Sequence, residues 1–536
     1  MTHAKKSLLM LSLLGSGLFT GCNTTSLQQS SNLSSSTVSK YSLDFNPQNY
    51  SVQSVEVDGK KIAVRAYENI VYVANPVDTD YQIMNIYIPE DYFHDKSIGA
   101  YNAATAPIFF PNQVGGYMPG KPATLNGRGG MGGGMPPMSS RDNTAGQTNT
   151  QTNRSGSQTN SVATALSRGY IVASAGARGR TTQNAQGIYT GKAPAAIVDL
   201  KAAVSYLHFN DARMPGDANK IISNGTSAGG ALSALLGATG DHPEYRPYLT
   251  ALGAAPASNA IFAVSAYCPI SNLDHADSAY EWQFKGINTY KNIKMSMLDY
   301  NVQRQTSDGT LTSDQIQYSQ LLAQTFPAYL NGLKLHDTHQ QLLQLDTQGE
   351  GSFKNYVKQF VINSAQKALA QGTDLSVFSW LTVKDGKVVD LDFDQYLHYL
   401  GRMKTPGAFD GRDLSTGENQ LFGTEKIDKQ HFTDFAQTHN NAANATQADA
   451  QIVKLMNPNP YIGLAQSNTA SHWRIRHGSK DSDTSLAIPV ILATLLENKG
   501  YDVDFALAWD KPHSGDYDLT ELFSWMDQIS QQTSKK

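Results

Sequence analysis

The sequence predicts an α/β fold, in which a mostly parallel sheet is flanked by helices, on the strength of three observations. Apolar runs typical of buried strands alternate with helical patterns from about residue 41 to 274. The stretch SNGTSAGGALSALLG places a strand, a glycine-rich turn and a helix in direct succession. The alternation returns after residue 466. Because strands joined through helices pair in parallel, we expect one sheet built from both parts of the chain.

Five segments in the first part of the chain are predicted to be buried strands, because each is short, apolar and bounded by turn-forming residues. They are YQIMNIYIP (81–89), APIFFPN (106–112), GYIVASAG (169–176), KIISNG (220–225) and AIFAVSAY (260–267). The segment APAAIVDLKAAVSYL is predicted to be a helix, with Ile197, Leu200, Val204 and Leu207 on one face. We therefore assign residues 41–274 to the first part of an α/β core.

Two segments interrupt this pattern. Residues from about 119 to 158 are rich in Gly, Asn, Thr and Ser without periodicity, and are predicted to be a disordered surface loop rather than a phosphate-binding loop. Residues 275–466 are predicted to be a mainly helical lid domain. One of its helices is expected to begin after an N-cap at Ser352 and to end before Gly372, and a hairpin is expected to turn at Asp385-Gly386.

Residues 467–536 complete the core. HWRIRHG and DVDFALAW are predicted strands, and SLAIPVILATLLENKG and DYDLTELFSWMDQI are predicted helices.

The first 22 residues have the pattern of a bacterial lipoprotein signal peptide. Lys5 and Lys6 precede an apolar stretch, and the segment ends in FTGC, where Cys22 would be lipidated after cleavage. Residues 23–40 are polar and Ser-rich, as a flexible tether is. We expect an extracytoplasmic protein, secreted and anchored to a membrane at the cell surface or in the periplasm. Cys268, the other cysteine, is predicted to be buried and free of a disulfide.

Composition excludes some partners. The formal net charge is −4, and the sequence lacks blocks of Lys or Arg, which argues against nucleic-acid binding. We expect a monomer that acts on a small molecule and needs neither a metal nor an organic cofactor.

Ser227 lies in the motif Gly225-Thr226-Ser227-Ala228-Gly229, which predicts a nucleophile elbow between a strand and a helix. A serine hydroxyl needs a base, and in this fold class the chain order is Ser, acid, His. His513 follows the last predicted strand, while His472 and His477 flank the preceding strand and are interpreted as surface or strand residues.

The acid is expected to follow the strand that precedes His513. Asp481 and Asp483 both do so, and spacing alone does not choose between them. The oxyanion hole is predicted to combine the N–H of Ala228 with one from the Gly115/Gly116 region, which follows an early strand.

Eight stretches from both parts of the core and from the lid form specific motifs: VGGYMPG, GARGR, GKAPAAIVDLKAAVSYL, MPGDANKIISNGTSAGGALSALLGATGDHPEY, KTPGAFDG, GENQLFG, DSDTSLAIP and PHSGDYDL. Together they resemble the motifs of bacterial tannases, the tannin acylhydrolases of the lactobacillus type. The resemblance implies an α/β-hydrolase fold with an inserted lid.

The resemblance also implies roles for residues that spacing leaves open. It selects Asp481 as the triad acid beside Ser227 and His513. It assigns Asp483, Lys404 and Glu418 to the three hydroxyls of a galloyl ring, which suits acceptor-only carboxylates and a donor-only ammonium.

The implied activity is hydrolysis of galloyl and protocatechuoyl esters to release gallic acid through an acyl-enzyme. A feruloyl or general aromatic esterase on the same scaffold is the alternative, and it would tolerate a methoxylated ring. A non-catalytic surface lipoprotein would be expected to have a broken triad, and a serine peptidase would need a subsite for a peptide amine.

Overall fold

The computed structural model describes residues 41–125, 160–298 and 301–531, and in residues 293–298 and 301–305 it describes the backbone alone. The predicted signal peptide (1–22), the predicted tether (23–40) and most of the loop predicted at about 119–158 lie outside the described residues. Residues 39–536 group into one compact unit.

A sheet of nine strands forms the centre of the described chain, in the order β1-β2-β3-β5-β4-β6-β7-β12-β13. The strands from β5 to β13 pair in parallel, and β1, β2 and β3 extend the sheet by antiparallel pairing. The strands are β1 (Ser51–Val57), β2 (Lys60–Val71), β3 (Ile83–Pro89), β4 (Pro107–Pro111), β5 (Ile171–Ala175), β6 (Asp217–Thr226), β7 (Ala263–Tyr267), β12 (His472–Gly478) and β13 (Asp502–Ala508).

Helices cover the sheet, and α2 and α3, which flank β6, are almost wholly buried, because most of their residues are apolar or small. Asp199 and Lys201 of α2 are buried as well and are hydrogen-bonded to Arg178 and to the Thr239 carbonyl. The helices that belong to the two core segments are α1 (Ser161–Ser167), α2 (Ala195–Phe209), α3 (Ala228–Ala238), α4 (Arg246–Ala251), α12 (Ala487–Asn498) and α13 (Leu519–Gln531).

Between β7 and β12 the chain leaves the sheet and forms helices and two hairpins. The helices are α5 (Leu273–Phe284), α6 (Ser313–Gly332), α7 (Ser352–Ala370), α8 (Phe393–Leu400), α9 (Gly417–Leu421), α10 (Asp434–Thr438) and α11 (Ala450–Leu455). The hairpins are β8 (Thr289–Leu298) with β9 (Asn301–Thr310), and β10 (Leu381–Lys384) with β11 (Lys387–Leu391). None of the helices in the described ranges combines the length and apolar character that crossing a bilayer requires.

The α/β class and all seven predicted core strands are confirmed, and so is the turn at Asp385-Gly386, where both residues have positive φ. Residues 119–125, at the start of the predicted loop, follow an irregular path that is fixed to the core, since Gly120 pairs with Ala177 and Leu125 is buried. One expectation is corrected. Ser352 is not the N-cap of α7, because Gly351 occupies that position and the Ser352 hydroxyl instead accepts a hydrogen bond from the Gln344 N–H at 2.8 Å.

Candidate active site

Ser227 stands where β6 ends and α3 begins, with φ +62°, a left-handed conformation that a side chain adopts under strain. The flanking glycines allow this turn. A Cβ at Gly225 would lie 2.3 Å from the Gly229 carbonyl oxygen, and one at Gly230 would lie 2.6 Å from the Tyr267 carbonyl oxygen. The elbow therefore has the backbone expected for a nucleophile raised above the sheet.

Asp481 and His513 follow the neighbouring strands β12 and β13. Nδ1 of His513 lies 2.8 Å from Oδ2 of Asp481, and Asp481 is fully buried. Oδ1 of Asp481 accepts a hydrogen bond from the Asp483 N–H at 2.8 Å, which fixes the carboxylate. This arrangement orients an imidazole by a buried acid, as acyl transfer requires.

The loop that carries His513 packs against the elbow that carries Ser227. A Cβ at Gly515 would lie 1.8 Å from Oγ1 of Thr226, so that glycine allows the two loops to touch. Asn224 donates a hydrogen bond to Asp516 at 3.0 Å and joins the loops a second time. Within the described residues, Nε2 of His513 is buried and has no hydrogen-bond partner, which leaves it free to act as a base.

Electrostatics favour a charged His513. Burial opposes the imidazolium, yet the negative charges of Asp481 and Asp483 raise the pKa of His513 well above its ordinary value. Burial likewise opposes the carboxylate of Asp481, but the adjacent histidines lower its pKa. Asp481 and His513 are thus arranged so that the carboxylate would stabilise the imidazolium formed if His513 took the proton of Ser227.

Of the predicted oxyanion residues, Ala228 belongs to the elbow itself, and the segment that carries Gly115 and Gly116 is joined to α3 through Asn112. Ala228 is the first residue of α3, where the N–H has no partner within the helix. The side chain of Asn112, at the end of β4, donates to the Gly229 carbonyl at 2.9 Å and joins this segment to α3. Gly116 has φ +55°, and its carbonyl accepts a hydrogen bond from Arg180 at 2.9 Å.

The three ring-binding candidates come together from two distant parts of the chain. Nζ of Lys404 lies 3.3 Å from Oδ2 of Asp483, and the same oxygen lies 4.0 Å from Nε2 of His513. Glu418, in the first turn of α9, is close enough to feel the charges of Lys404, Arg180 and Asp483, and burial raises its pKa. Asp483 therefore lies between Lys404 and the His513 imidazole, and Glu418 is within electrostatic reach of Lys404 and Asp483.

Two side chains that the sequence did not single out belong to this site. Arg180 joins the Gly116 carbonyl to the side chain of Gln420 in α9, and so links the oxyanion segment to the inserted segment. His477, interpreted from the sequence as a surface or strand residue, lies in β12, is fully buried and has Nε2 3.6 Å from Oδ2 of Asp481. A histidine at a strand end is compatible with many environments, so the sequence carries no signal for either contact.

Cys268 is buried and free, as predicted, and its Sγ donates to the Ser514 carbonyl at 3.2 Å. Ligand atoms of Cys268, His477 and Asp481 lie within 4.8 Å of one another, close enough to hold a metal ion. Both oxygens of Asp481 are nevertheless engaged by His513 and by the Asp483 N–H. The chemistry of this cluster is therefore that of a hydrogen-bonded acid rather than of a free ligand set.

Comparison with solved structures decides the family. A tannase from Fusobacterium nucleatum is 51% identical, with a TM-score of 0.82 over 92% of this chain and 100% of that chain. A tannase from Lactobacillus plantarum is 45% identical, with a TM-score of 0.83 over 91% of this chain and 99% of that chain. The chain belongs to the tannase family.

A further tannase, a tannin acyl hydrolase solved in complex with ethyl gallate, is 46% identical, with a TM-score of 0.80 over 91% of this chain and 99% of that chain. Residues 144–318 match the BD-FAE family model, and no curated protein matches the chain. The predicted family and the α/β-hydrolase fold are thereby confirmed, and the tannase is a carboxylic ester hydrolase. The roles of individual residues stay predictions, supported by the geometry above.

Proposed function

We propose that this tannase hydrolyses galloyl and protocatechuoyl esters, including the galloyl esters of gallotannins, and releases the free acid. One observation carries the proposal: the Asp483 carboxylate lies between the Lys404 ammonium and the His513 imidazole. A group able to bind ring hydroxyls is thus adjacent to the base of the acyl transfer. The ethyl gallate bound by a related tannin acyl hydrolase agrees with an acyl ring of this kind.

In the proposed reaction, Ser227, His513 and Asp481 act as a catalytic triad. Nε2 of His513 takes the proton of Ser227, whose Oγ attacks the ester carbonyl, and the N–H groups of Ala228 and of the Gly115/Gly116 region stabilise the oxyanion. His513 then returns its proton to the leaving alcohol as the C–O bond breaks. Water, deprotonated by the same histidine, attacks the acyl-enzyme, and gallate leaves with Ser227 restored.

Recognition of the ring follows from the hydrogen-bonding capacity of these charged groups. Phenolic hydroxyls donate to the carboxylates of Asp483 and Glu418 and accept from Lys404. An acyl ring without hydroxyls displaces water from these partly buried groups without replacing its hydrogen bonds, and sites built to bind a substrate hydroxyl reject such analogues by up to about 10⁵-fold.

Rates of acid release from methyl gallate, methyl ferulate and methyl benzoate test the proposal, with Ser227→Ala as the blank. We expect a strong preference for methyl gallate that collapses in Lys404→Ala and in Glu418→Ala. Comparable rates on the three esters would support a general aromatic esterase instead. Activity that survives in Ser227→Ala would contradict the assigned nucleophile.

We also propose that lipid attached to Cys22 holds the enzyme at an extracytoplasmic membrane surface, as FTGC and the polar segment 23–40 favour. In a bacterial host, the full chain is expected in the membrane fraction and Cys22→Ser in the soluble fraction. Equal distribution of the two proteins would refute the anchor.

A further inference from the structure

The Tyr280 hydroxyl lies where the inserted segment meets the loop that carries Asp481 and Asp483. Tyr280 belongs to α5 and is fully buried. Its hydroxyl accepts hydrogen bonds from the N–H groups of Met403 at 3.1 Å and Lys404 at 3.0 Å, and donates one to the Ser482 carbonyl at 3.0 Å. A hydroxyl has one donor and two acceptor positions, so all of its hydrogen-bonding capacity is used.

These three hydrogen bonds connect the two chain segments that carry the proposed ring-binding residues Lys404 and Asp483. One is made by the amide of Lys404 itself, and another by the carbonyl of Ser482, which directly precedes Asp483. The side chains of Lys404 and Asp483 form an ion pair of 3.3 Å, and Oδ2 of Asp483 lies 4.0 Å from Nε2 of His513. The hydroxyl is therefore a single atom through which the backbones that carry both members of the pair are held at a fixed spacing.

Arg402 also supports Lys404, but it does not reach the core loop. Arg402 donates to the Lys404 carbonyl at 3.2 Å, and its remaining bonds go to Glu281, Phe284, Ile287 and Ser319, all in the inserted segment. Arg402 thus holds Lys404 within the inserted segment, whereas Tyr280 also binds the loop of Asp481 and Asp483. Burial raises the pKa of the Tyr280 phenol, which keeps its proton in place for the bond to Ser482.

We propose that Tyr280 is a positioning residue for acyl specificity: its hydroxyl sets the spacing of Lys404 and Asp483 and thereby the preference for hydroxylated rings. The inference rests on the proposed function, because it assumes that this pair binds the ring. It assigns Tyr280 no contact with substrate and no part in proton transfer.

Tyr280→Phe, which removes only the bridging oxygen, tests the proposal with methyl gallate and methyl benzoate. We expect the gallate-over-benzoate ratio of kcat/KM to fall by roughly tenfold or more, mainly through a higher KM for methyl gallate. The kcat/KM for methyl benzoate should stay within about twofold of wild type, because Asp481 keeps its hydrogen bond to His513.

Tyr245→Phe is the matched control. Tyr245 is also fully buried and donates to a backbone carbonyl of the inserted segment, that of Leu455 at 2.7 Å, but touches neither Lys404 nor Asp483. The gallate-over-benzoate ratio of kcat/KM in Tyr245→Phe should equal that of wild type. A ratio in Tyr280→Phe that equals wild type, or an equal loss on both esters, would overturn the positioning role.

Hydrogen exchange tests the bridge without a substrate. The amides of Met403 and Lys404 should be protected in the wild-type enzyme and exchange faster in Tyr280→Phe, as followed by mass spectrometry. Exchange of these amides at the rate of exposed backbone in wild type would overturn the bridge, whether or not the variant folds. A wild-type enzyme without gallate preference would instead refute the proposed function, which separates the two failures.

Discussion

At the scale of single residues, the site depends on one carboxylate oxygen that faces two cations. Oδ2 of Asp483 lies 3.3 Å from Nζ of Lys404 and 4.0 Å from Nε2 of His513. The same charge that suits Asp483 to a phenolic hydroxyl also stabilises the protonated imidazole. In the proposed mechanism, ring binding and the protonation of His513 are therefore linked through Asp483.

This link predicts a pH effect. His513 acts as a base only when neutral, and nearby charges raise its pKa, so the acid limb of the kcat/KM profile should lie above pH 6.5, the ordinary value for histidine. Asp483→Asn removes one of the charges that raise the pKa. The limb should therefore move to lower pH.

Methyl benzoate is the substrate for that profile, because it has no ring hydroxyl and a lost ring contact does not distort the result. An acid limb that stays in place in Asp483→Asn would show that Asp483 does not act on His513. Asp504→Asn, a change near the opposite end of β13 from the His513 loop, is the control and should leave the limb unmoved.

At the scale of elements, the turn between β6 and α3 tolerates no side chain at Gly225, where a Cβ would lie 2.3 Å from a backbone oxygen. Gly225→Ala should displace Ser227 and lower kcat/KM by about 100-fold or more, since a shift near 1 Å has that cost. Gly332→Ala is the matched control, because a Cβ there meets no atom within 4 Å and should leave activity unchanged. Full activity in Gly225→Ala would contradict the assigned elbow.

The N-terminus of the short helix α9 is a second feature that positions a proposed ring-binding residue, Glu418. Thr416 is its N-cap, accepts from the Asn419 N–H at 3.0 Å and stands two residues before Glu418. Thr416→Ala should cost about 1 kcal/mol of local stability and raise the KM for methyl gallate about fivefold, with Thr416→Ser restoring the wild-type value. Unchanged KM in the alanine variant would show that the cap does not position Glu418.

Strands and helices with a clear apolar pattern could be predicted from the sequence. Strands that are recognised only through their pairing with a neighbouring strand could not. All seven predicted core strands are confirmed, because most of them are the short apolar runs typical of buried strands, whether they pair in parallel or, as β3 does, antiparallel. The hairpin of β1 and β2 escaped prediction because it is polar on one face and lies at the sheet edge, and β8 and β9 have no apolar run. At the site, the triad order was readable, whereas Tyr280 and Arg180 act on residues more than 60 positions away, a relation that no local pattern records.

At the scale of the whole molecule, buried charges stabilise the inserted segment both within itself and against the core. Arg402 and Glu281, both in the insertion, are fully buried and pair at 2.9 Å. Removing one partner of such a buried pair costs about 3–5 kcal/mol. Lys192 of the first core segment donates to Gln420 and Asp428 of the insertion and therefore opposes its separation from the core.

We expect residues 41–531 to unfold in one cooperative transition, because they form one compact unit. Calorimetry tests this through agreement between the calorimetric and van't Hoff enthalpies. Arg402→Met should lower the transition temperature without splitting the transition. Two resolved transitions in wild type would show that the insertion melts by itself.

The part of the chain that supplies each proposed active-site residue has a consequence for how new substrate preferences could evolve in this enzyme. Ser227, Asp481 and His513 come from the two core segments, whereas Lys404 and Glu418 come from the segment between β7 and β12. Two of the three proposed ring-binding residues are thus encoded outside the stretches that encode the proposed triad, and Asp483 is the one that lies in the core. Exchanging residues 402–421 between relatives would alter which acids are released while the hydrolytic apparatus is inherited intact, so new substrate ranges are reachable by recombination as well as by point mutation.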